Sequence, residues 1–290
     1  MPMNLPEGLG EMGTRHILYA TDLSPTAERA LPYALGIAFR HASVIYVVHV
    51  IQPAVYPLVP PVAWAKMATD EETFRQNAKA ALEEQLKDVR HEFIFRSGEI
   101  WKTLSEVIHE KQIDLIVCST HGRSGLGKAL LGSVAEKIFQ NSSRPVLTVG
   151  PLVSKDLPGH GALGRILYAT DFSHESLAAA PEAIALAQEH RANLILLHCL
   201  EDSGDLRTML TTLRDLVPYG VELRGEPNCV VARGPHGDKI LEVAEGHGAD
   251  LIVLGVPSED LQRGPKAHFR RSALYKIVTQ ARCPVLTMHH

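Results

Sequence analysis

Residues 16–51, HILYATDLSPTAERALPYALGIAFRHASVIYVVHVI, decide the fold because the chain contains this stretch twice. They align without a gap onto residues 165–200, RILYATDFSHESLAAAPEAIALAQEHRANLILLHCL, and 13 of the 36 paired positions are identical. Later segments repeat too, such as RPVLTV and CPVLTM. A repeat of this length predicts two copies of one domain. The first copy runs from about 14 to 150 and the second from about 163 to 290.

The predicted domains are 1–150 and 151–290, and the Gly- and Pro-containing segment 150–164 is the predicted linker. Within each copy, strands and helices alternate. HILYAT is a short apolar run, and SVIYVVHVI is the continuous β-branched run typical of a strand buried on both faces of a parallel sheet. The remaining predicted elements of the first copy are a helix from Ser24-Pro25 to about Arg40, a helix over roughly 69–89, strand HEFIFR, helix EIWKTLSEVIHEKQ, strand DLIVCS, helix GSVAEKIFQNS and strand PVLTVG.

Five strands alternating with four helices predict an α/β fold in each copy: two tandem domains, each a five-stranded parallel sheet of the doubly wound, flavodoxin-like or Rossmann-like kind. Ligands of such sheets bind beyond the carboxyl ends of the strands, where the strand order reverses. We therefore expect the loops after ILYAT and DLIVC to flank a ligand site.

Composition excludes several classes of function. A net charge of −4 and a pI near 6.4 argue against a dedicated nucleic-acid binder. No apolar run approaches the roughly 18 residues of a membrane span, and the N-terminus lacks a signal-peptide pattern. Four scattered cysteines indicate a reducing, cytoplasmic setting. The fifteen histidines show no zinc-site spacing, His49 and His198 are expected to be packed, and no catalytic Ser/His/Asp or paired-carboxylate pattern is present.

The loop STHGRSGLGKALLGS, residues 119–133, has three interpretations. Gly122-x4-Gly127-Lys128 is a Walker A motif except for Ala129, which lacks the hydroxyl that binds magnesium. Alternatively, Ser133 to Glu136 form a capping box, and Gly132 lies at a helix start that favours an anion. Finally, a glycine-rich surface loop before a capped helix needs no ligand.

The same residues resemble the universal stress protein family and its nucleotide loop G-x2-G-x9-G-[ST]. Gly122 and Gly132-Ser133 match the second and third glycines of this loop, while Ser119 replaces the first. The phrases ILYATDLSP, VIYVVHV, STHGRSGL, LLGSVAEKI and RPVLTV extend the resemblance over nearly all of the first copy, and the second copy resembles the family outside the loop. The resemblance implies a tandem family member, ATP at the switch point of the sheet, and pairing of the two domains through PVLTV and PVLTM.

Family site residues carry over by position. Ala20, Thr21 and Asp22 would lie beside the adenosine, the backbone of Ile45 at the adenine edge, and Cys118 to Gly122 along the ribose and phosphates. The implied nucleotide-binding set is Ala20, Thr21, Asp22, Ile45, Cys118, Ser119, His121, Gly122, Arg123, Gly132, Ser133 and Val134. Two questions stay open. Asp22 also suits an Asx-turn, and Ser119 weakens ATP binding if that position requires close backbone approach.

The second copy departs from the loop pattern. Gly255 takes the place of Ser119, Arg271-Ser272 replace Gly132-Ser133, and Tyr275 replaces Glu136. An arginine at the helix start would fill the space of a phosphate, so we expect no ATP in this domain. Its basic cluster, Arg263, Lys266, His268, Arg270 and Arg271, is typical of a solvated loop.

These patterns predict an ATP-binding regulatory stress-response protein that holds one nucleotide, with or without magnesium, in the first domain. We expect no enzymatic role beyond slow hydrolysis, association into a homodimer, and an unidentified regulatory protein partner. The alternatives are a nucleotide-free scaffold acting through protein contacts and, more distantly, a P-loop NTPase. The apolar, proline-rich insertion 52–68 is predicted to cover the crevice as a lid, to form an interface, or to pack on its own domain.

Overall fold

A computed structural model describes six ranges of the chain: 13–51, 61–120, 131–154, 163–200, 205–256 and 265–289. Residues 61–71 and 265–271 are described by their backbone alone.

Ten strands of the described chain form one sheet. They are β1 (His16–Ala20), β2 (Val44–Ile51), β3 (His91–Ser97), β4 (Leu115–Ser119), β5 (Val146–Val149), β6 (Arg165–Thr170), β7 (Asn193–Leu200), β8 (Asn228–Arg233), β9 (Leu251–Val256) and β10 (Val285–His289). Their spatial order is β3-β2-β1-β4-β5-β10-β9-β6-β7-β8. Neighbouring strands are parallel within each copy, which confirms the predicted α/β class.

The two copies join through their last strands. β5 and β10 pair antiparallel, with Leu147 opposite Leu286 and Val146 opposite Thr287. The Thr287 hydroxyl also donates to the Val146 carbonyl at 3.3 Å. The predicted pairing of PVLTV with PVLTM is therefore confirmed, and it merges two five-stranded sheets into one.

The strand order reverses beside β1, as predicted. β1 lies between β2 and β4, and β6 lies between β7 and β9 in the same way. The carboxyl ends of β1 and β4 therefore border one crevice, and those of β6 and β9 border its counterpart in the second copy.

Helices cover both faces of the sheet. They are α1 (Leu31–His41), α2 (Pro61–Leu86), α3 (Ile100–Glu110), α4 (Ser133–Asn141), α5 (His174–Ala178), α6 (Ala180–Glu189), α7 (Leu206–Arg214), α8 (His236–His247) and α9 (Pro265–Gln280). One apolar core contains residues of α1, α2, α6 and α7, and the other contains residues of α3, α4, α8 and α9. None of the described helices is long and apolar enough to cross a bilayer.

The second helix of the first copy differs from its prediction. It begins at Pro61 rather than near residue 69, and so takes in part of the predicted insertion 52–68. The sequence VAWAKMA contains strong helix formers, and proline is well tolerated at the first helical position. Residues 52–60 lie outside the described part of the chain.

The helix predicted from Ser24-Pro25 is divided into two helical segments, and the first helix of the second copy is divided in the same way. In the first copy, a 3₁₀ turn over Ala27–Ala30 precedes α1, and the Ser24 hydroxyl accepts from the Ala27 N–H at 3.2 Å. In the second copy, the short helix α5 precedes α6. Pro32 and Pro181 hold matching positions where the helical segments meet. A proline interrupts the helix there because it lacks the N–H that would continue the hydrogen bonds of the preceding turn.

Candidate functional site

The carboxyl ends of β1 and β4 bring two groups of predicted site residues together. Ala20 is in register with Cys118, so Thr21 and Asp22 emerge beside Ser119. The Thr21 N–H donates to the Val48 carbonyl at 3.0 Å. Backbone hydrogen bonds therefore hold the start of this loop in place.

The chain returns to the same place at the start of α4. The Gly132 N–H donates to the carbonyl of Thr120 at 2.7 Å, and the Thr120 N–H donates to the Val149 carbonyl at 3.1 Å. Ser133 and Val134, the first residues of α4, therefore lie close to the end of β4. His121, Gly122 and Arg123 fall outside the described residues.

The predicted capping box at Ser133 is wrong. Gly132 is the N-cap, with extended backbone angles, and its carbonyl accepts from the Glu136 N–H at 2.9 Å. The helix begins one residue earlier than predicted because the bond to Thr120 fixes Gly132 at its mouth. The Glu136 carboxylate instead accepts from the Gln140 amide at 3.0 Å.

The start of α4 has the properties of an anion site. Its N-cap is a glycine, which has no side chain to accept from the N–H groups of the first turn. These groups and the positive end of the helix dipole lie beside the end of β4, where Gly132 is bonded to Thr120, and they favour an anion.

Asp22 forms the Asx-turn that its sequence context allowed. Its Oδ1 accepts from the Ser24 N–H at 3.0 Å. Leu23 between them has a φ of 62°, a left-handed conformation that costs an L-residue about 1–2 kcal/mol. Phe172 has a φ of 60° at the matching position. Both copies thus hold an aspartate at the end of their first strand by the same strained turn.

Three buried side chains near the strand ends, two histidines and a cysteine, have structural roles. The His49 Nδ1 lies 2.9 Å from the Thr21 carbonyl, and the His198 Nδ1 lies 2.8 Å from the Thr170 carbonyl. Both rings are buried, which confirms the expectation of packed histidines. Burial raises the pKa of the Cys118 thiol to about 12, so Cys118 is a neutral part of the wall and no nucleophile.

Ile45 does not lie with the other predicted residues. It is the second residue of β2, and its N–H donates to the Arg90 carbonyl at 2.9 Å. It lies three positions before Val48, the partner of Thr21, which amounts to roughly 10 Å along a strand. The part of β2 that borders the crevice is its carboxyl end, which includes Val50. The sequence already indicated this position, because ligands bind at the carboxyl ends of parallel strands and Val50 lies near the end of the run VIYVVHVI, whereas Ile45 lies near its start.

The aspartate of the second copy has different neighbours. Asp171 Oδ1 accepts from the Ser173 N–H at 2.9 Å and from the Ser176 hydroxyl at 2.7 Å. The Ser176 hydroxyl also lies 2.9 Å from that of Thr170. In the repeat alignment, the counterpart of Ser176 is Ala27, which has no hydroxyl.

The second crevice also differs at the end of β9. A Cβ added to Gly255 would lie 2.3 Å from the Glu175 carbonyl oxygen and 2.6 Å from the Ser176 Cα. The backbone of α5 therefore rests on the end of β9, whereas Ser119 carries a Cβ at the matching position. Moreover, α9 begins at Pro265, before Ser272, the counterpart of Ser133. The N–H groups around Ser272 thus lie inside a helix.

The described residues contain no group of three or more His, Cys, Asp or Glu side chains that could hold a metal ion.

Comparisons with known proteins agree with this architecture. The profile of the universal stress protein family matches residues 13–150, 163–213 and 223–289. A universal stress protein of Mycolicibacterium smegmatis is 28% identical over 223 residues, 72% of each chain. Universal stress protein MJ0577 of Methanocaldococcus jannaschii is 28% identical over 152 residues, 47% of this chain and 94% of that protein.

A solved structure shares the whole arrangement. The crystal structure of a universal stress protein from Archaeoglobus fulgidus covers 96% of this chain and 97% of its own, with a TM-score of 0.73 and 22% identity. This likeness concerns the fold, and the matched sequence profile extends over both copies. The chain therefore belongs to the universal stress protein family, with two of its domains in tandem.

Proposed function

We propose that this protein is an ATP-binding regulator of the stress response and that it holds one nucleotide, in its first domain. The observation that carries the proposal is the start of α4, which lacks a side-chain cap among the described residues and is tied to the end of β4 by the Gly132–Thr120 hydrogen bond. Phosphate is the common ligand of such a helix start.

The crevice offers distinct surfaces to the parts of the nucleotide. Ala20, Thr21 and Asp22 at the end of β1 would face the adenosine, with the Asp22 carboxylate near the ribose. Ser119 and the first turn of α4 at Gly132, Ser133 and Val134 would receive the phosphates. His121, Gly122 and Arg123 complete the proposed set, and magnesium would enter as a companion of the phosphates.

Three differences support a single nucleotide per chain. In the second copy, the Ser176 hydroxyl is bonded to Asp171, the α5 backbone lies on Gly255, and α9 extends past the matching helix start. The first occupies a carboxylate oxygen of Asp171, the second takes up space at the end of β9, and the third encloses the matching N–H groups in a helix. We therefore assign nucleotide binding to residues 1–150 and a contact role to residues 151–290.

The groups beside the crevice support a regulatory role. The thiol of Cys118 is protonated, and His49 is bonded to the backbone of the site itself, so neither is placed to activate a water. Hydrolysis is therefore expected to be slow. Under this proposal, the protein acts in the cytoplasm as a homodimer that presents a surface to a regulatory partner.

One observation favours a second candidate, a scaffold that binds no nucleotide. Ser119 has a side chain where the family's loop has glycine, and the matching glycine of the second copy tolerates no Cβ. If ATP must approach as closely as α5 approaches Gly255, Ser119 would exclude it.

Calorimetric titration of ATP distinguishes the two candidates. Asp22→Asn keeps the oxygen that accepts from Ser24 and removes the charge, so we expect the fold to persist and ATP affinity to fall roughly tenfold. Asp171→Asn makes the same change in the second copy and is the matched control, with unchanged affinity. Titration of AMP alongside ATP shows how much the phosphate tail contributes.

The outcomes separate clearly. One ATP per chain, weakened by Asp22→Asn alone, supports the proposal. Two ATP per chain, or equal effects of the two substitutions, would contradict binding in the first domain only. No binding heat, with no nucleotide extracted from the purified protein, would favour the scaffold.

A further inference from the structure

A cavity of about 210 Å³ lies where the two copies join, and its lining includes none of the predicted nucleotide-site residues. Its floor is formed by Leu147 of β5 and Leu286 of β10, the residues that face each other across the antiparallel pair. Leu115 and Leu251, the first residues of β4 and β9, also line it. The cavity therefore crosses the junction of the two copies and reaches the amino-terminal ends of β4 and β9, which lie at opposite edges of the sheet because β5 and β10 are antiparallel.

The cavity is a product of the pairing of the two copies. Its walls include Ile37 of α1 and Leu186 of α6, which are equivalent residues in the repeat alignment. Gly36, in the interior of α1, also lines the space. A glycine inside a helix lowers stability by roughly 0.5–1 kcal/mol relative to alanine. Gly36 is therefore an unfavourable residue for α1, and a side chain at this position would reduce the volume of the cavity.

Three of the polar groups that line the cavity are uncharged at neutral pH. Burial raises the pKa of the Tyr33 hydroxyl to about 12, and this hydroxyl donates to the Ser154 carbonyl at 3.0 Å. Burial likewise raises the pKa of the Cys283 thiol to about 12. His190 has its pKa lowered to about 4 by burial and by Arg40 and His41.

The charged groups around the cavity have protein partners. Arg40 Nε lies 3.7 Å from the Glu189 carboxylate, and His41 Nε2 lies 3.3 Å from it. Asp250 Oδ2 accepts from two backbone N–H groups, at 2.9 Å each, and Arg282 Nε lies 3.2 Å from Glu245. The carboxyl ends of α1 and α6 also lie here, and their dipoles oppose an anion. A charged ligand would therefore have to compete with existing pairs.

We propose that this cavity binds a small uncharged molecule with an apolar body and one hydroxyl group, such as a medium-chain alcohol. An apolar cavity of about 150 Å³ is large enough for a benzene-sized molecule, and this cavity is larger. The leucine and isoleucine walls receive the apolar body. The Tyr33 oxygen, which already donates to Ser154, still accepts a hydrogen bond and would receive the hydroxyl of the ligand.

The test titrates octan-1-ol into the full chain, followed by calorimetry and ligand-observed NMR. Ile37→Trp places a larger side chain in the cavity, so affinity should fall at least tenfold. Phe39→Trp is the matched control on the same helix, because Phe39 is 61% exposed and lies outside the lining, and its affinity should stay within about twofold of the wild type.

Further measurements keep the result decisive. Leu186→Trp fills the cavity from the other wall and should have the same effect as Ile37→Trp, and thermal unfolding verifies that each variant is folded. Octanoate has a similar apolar chain with a charge, and we expect it to bind at least tenfold more weakly. Undetectable binding of octan-1-ol, equal binding to the Ile37 and Phe39 variants, or equal binding of octanoate would each overturn the proposal.

Discussion

The hydroxyl of Tyr275 donates a hydrogen bond to Oε1 of Glu136 at 3.3 Å, and these two residues hold equivalent positions in the two copies. Equivalent residues that touch lie on the pseudo-two-fold axis that relates the copies. Two glutamates here would place like charges together. The second copy supplies a neutral donor instead, so its divergence from the first improves the contact between the domains.

Substitution of Tyr275 tests this contact. Tyr275→Phe removes the hydroxyl and should lower the free energy of unfolding by about 1 kcal/mol. Tyr275→Glu should lower it further, because the new carboxylate faces Glu136. Urea unfolding at pH 7 measures both values. The double variant Tyr275→Glu with Glu136→Gln should recover part of the loss, and equal stability of the Phe and Glu variants would contradict repulsion at the axis.

Gly150 allows the two domains to approach closely. A Cβ at this position would lie 2.8 Å from the backbone carbonyl oxygen of Val278 in α9. Gly150→Ala should therefore destabilise the protein by about 1–3 kcal/mol. Gly246→Ala is the control, because Gly246 lies in α8 with nothing within 4 Å of the new Cβ, and it should stabilise the protein by roughly 0.5–1 kcal/mol. Thermal unfolding compares them, and two shifts of the same sign would contradict this account.

Two single substitutions, each placing the residue of one copy at the matching position of the other, test the difference between the two crevices. Gly255→Ser should destabilise the protein by about 2 kcal/mol or more, since the new Cβ would overlap the backbone at Glu175 and Ser176. Ser119→Gly should change the stability by less than about 1 kcal/mol. Chemical denaturation gives both numbers. If Gly255→Ser is tolerated as well as Ser119→Gly, α5 does not close the second crevice.

Glu182 on α6 should give the stability of the protein a distinct pH dependence. Its Oε1 is buried and has no hydrogen-bond partner among the described residues. Burial, with a smaller contribution from Glu189, raises its pKa to about 7. The folded protein thus retains a proton that the unfolded chain loses near pH 4.3, so stability falls as the pH rises from about 4.3 to about 7.

Glu182→Gln isolates this effect. The variant should be more stable than the wild type by roughly 2 kcal/mol at pH 8, and the difference should shrink toward pH 4, where the glutamic acid is neutral. Urea unfolding at several pH values measures the difference between the two proteins, which removes the contributions of other titrating groups. A constant difference from pH 4 to pH 8 would show that Glu182 keeps an ordinary pKa.

Much of the fold was predictable because its signals are local or repeated. The apolar runs gave the strands, their alternation with helices gave a parallel sheet, and the duplicated ILYATD located two equivalent strand ends. Helix starts were predicted less well. The true N-cap of α4 is Gly132 because its N–H is bonded to Thr120, a contact across a loop that no capping pattern contains.

The candidate site was likewise predicted only in part. The sequence correctly grouped Ala20, Thr21 and Asp22 with Cys118 and Ser119, since parallel strands end at a common edge. It misplaced Ile45, because the position of a residue along a buried strand depends on the register with its neighbours. That register appears only when Thr21 is seen to pair with Val48.

The sequence by itself determined the α/β class, the duplication and the family, because hydrophobic period and repeated motifs are properties of the chain. Only the tertiary structure decided that α5 rests on Gly255, that Tyr275 meets Glu136, and that Leu147 and Leu286 line a cavity where the two copies join. These features arise where segments distant in sequence pack together, and close packing depends on the backbone positions of both partners at once.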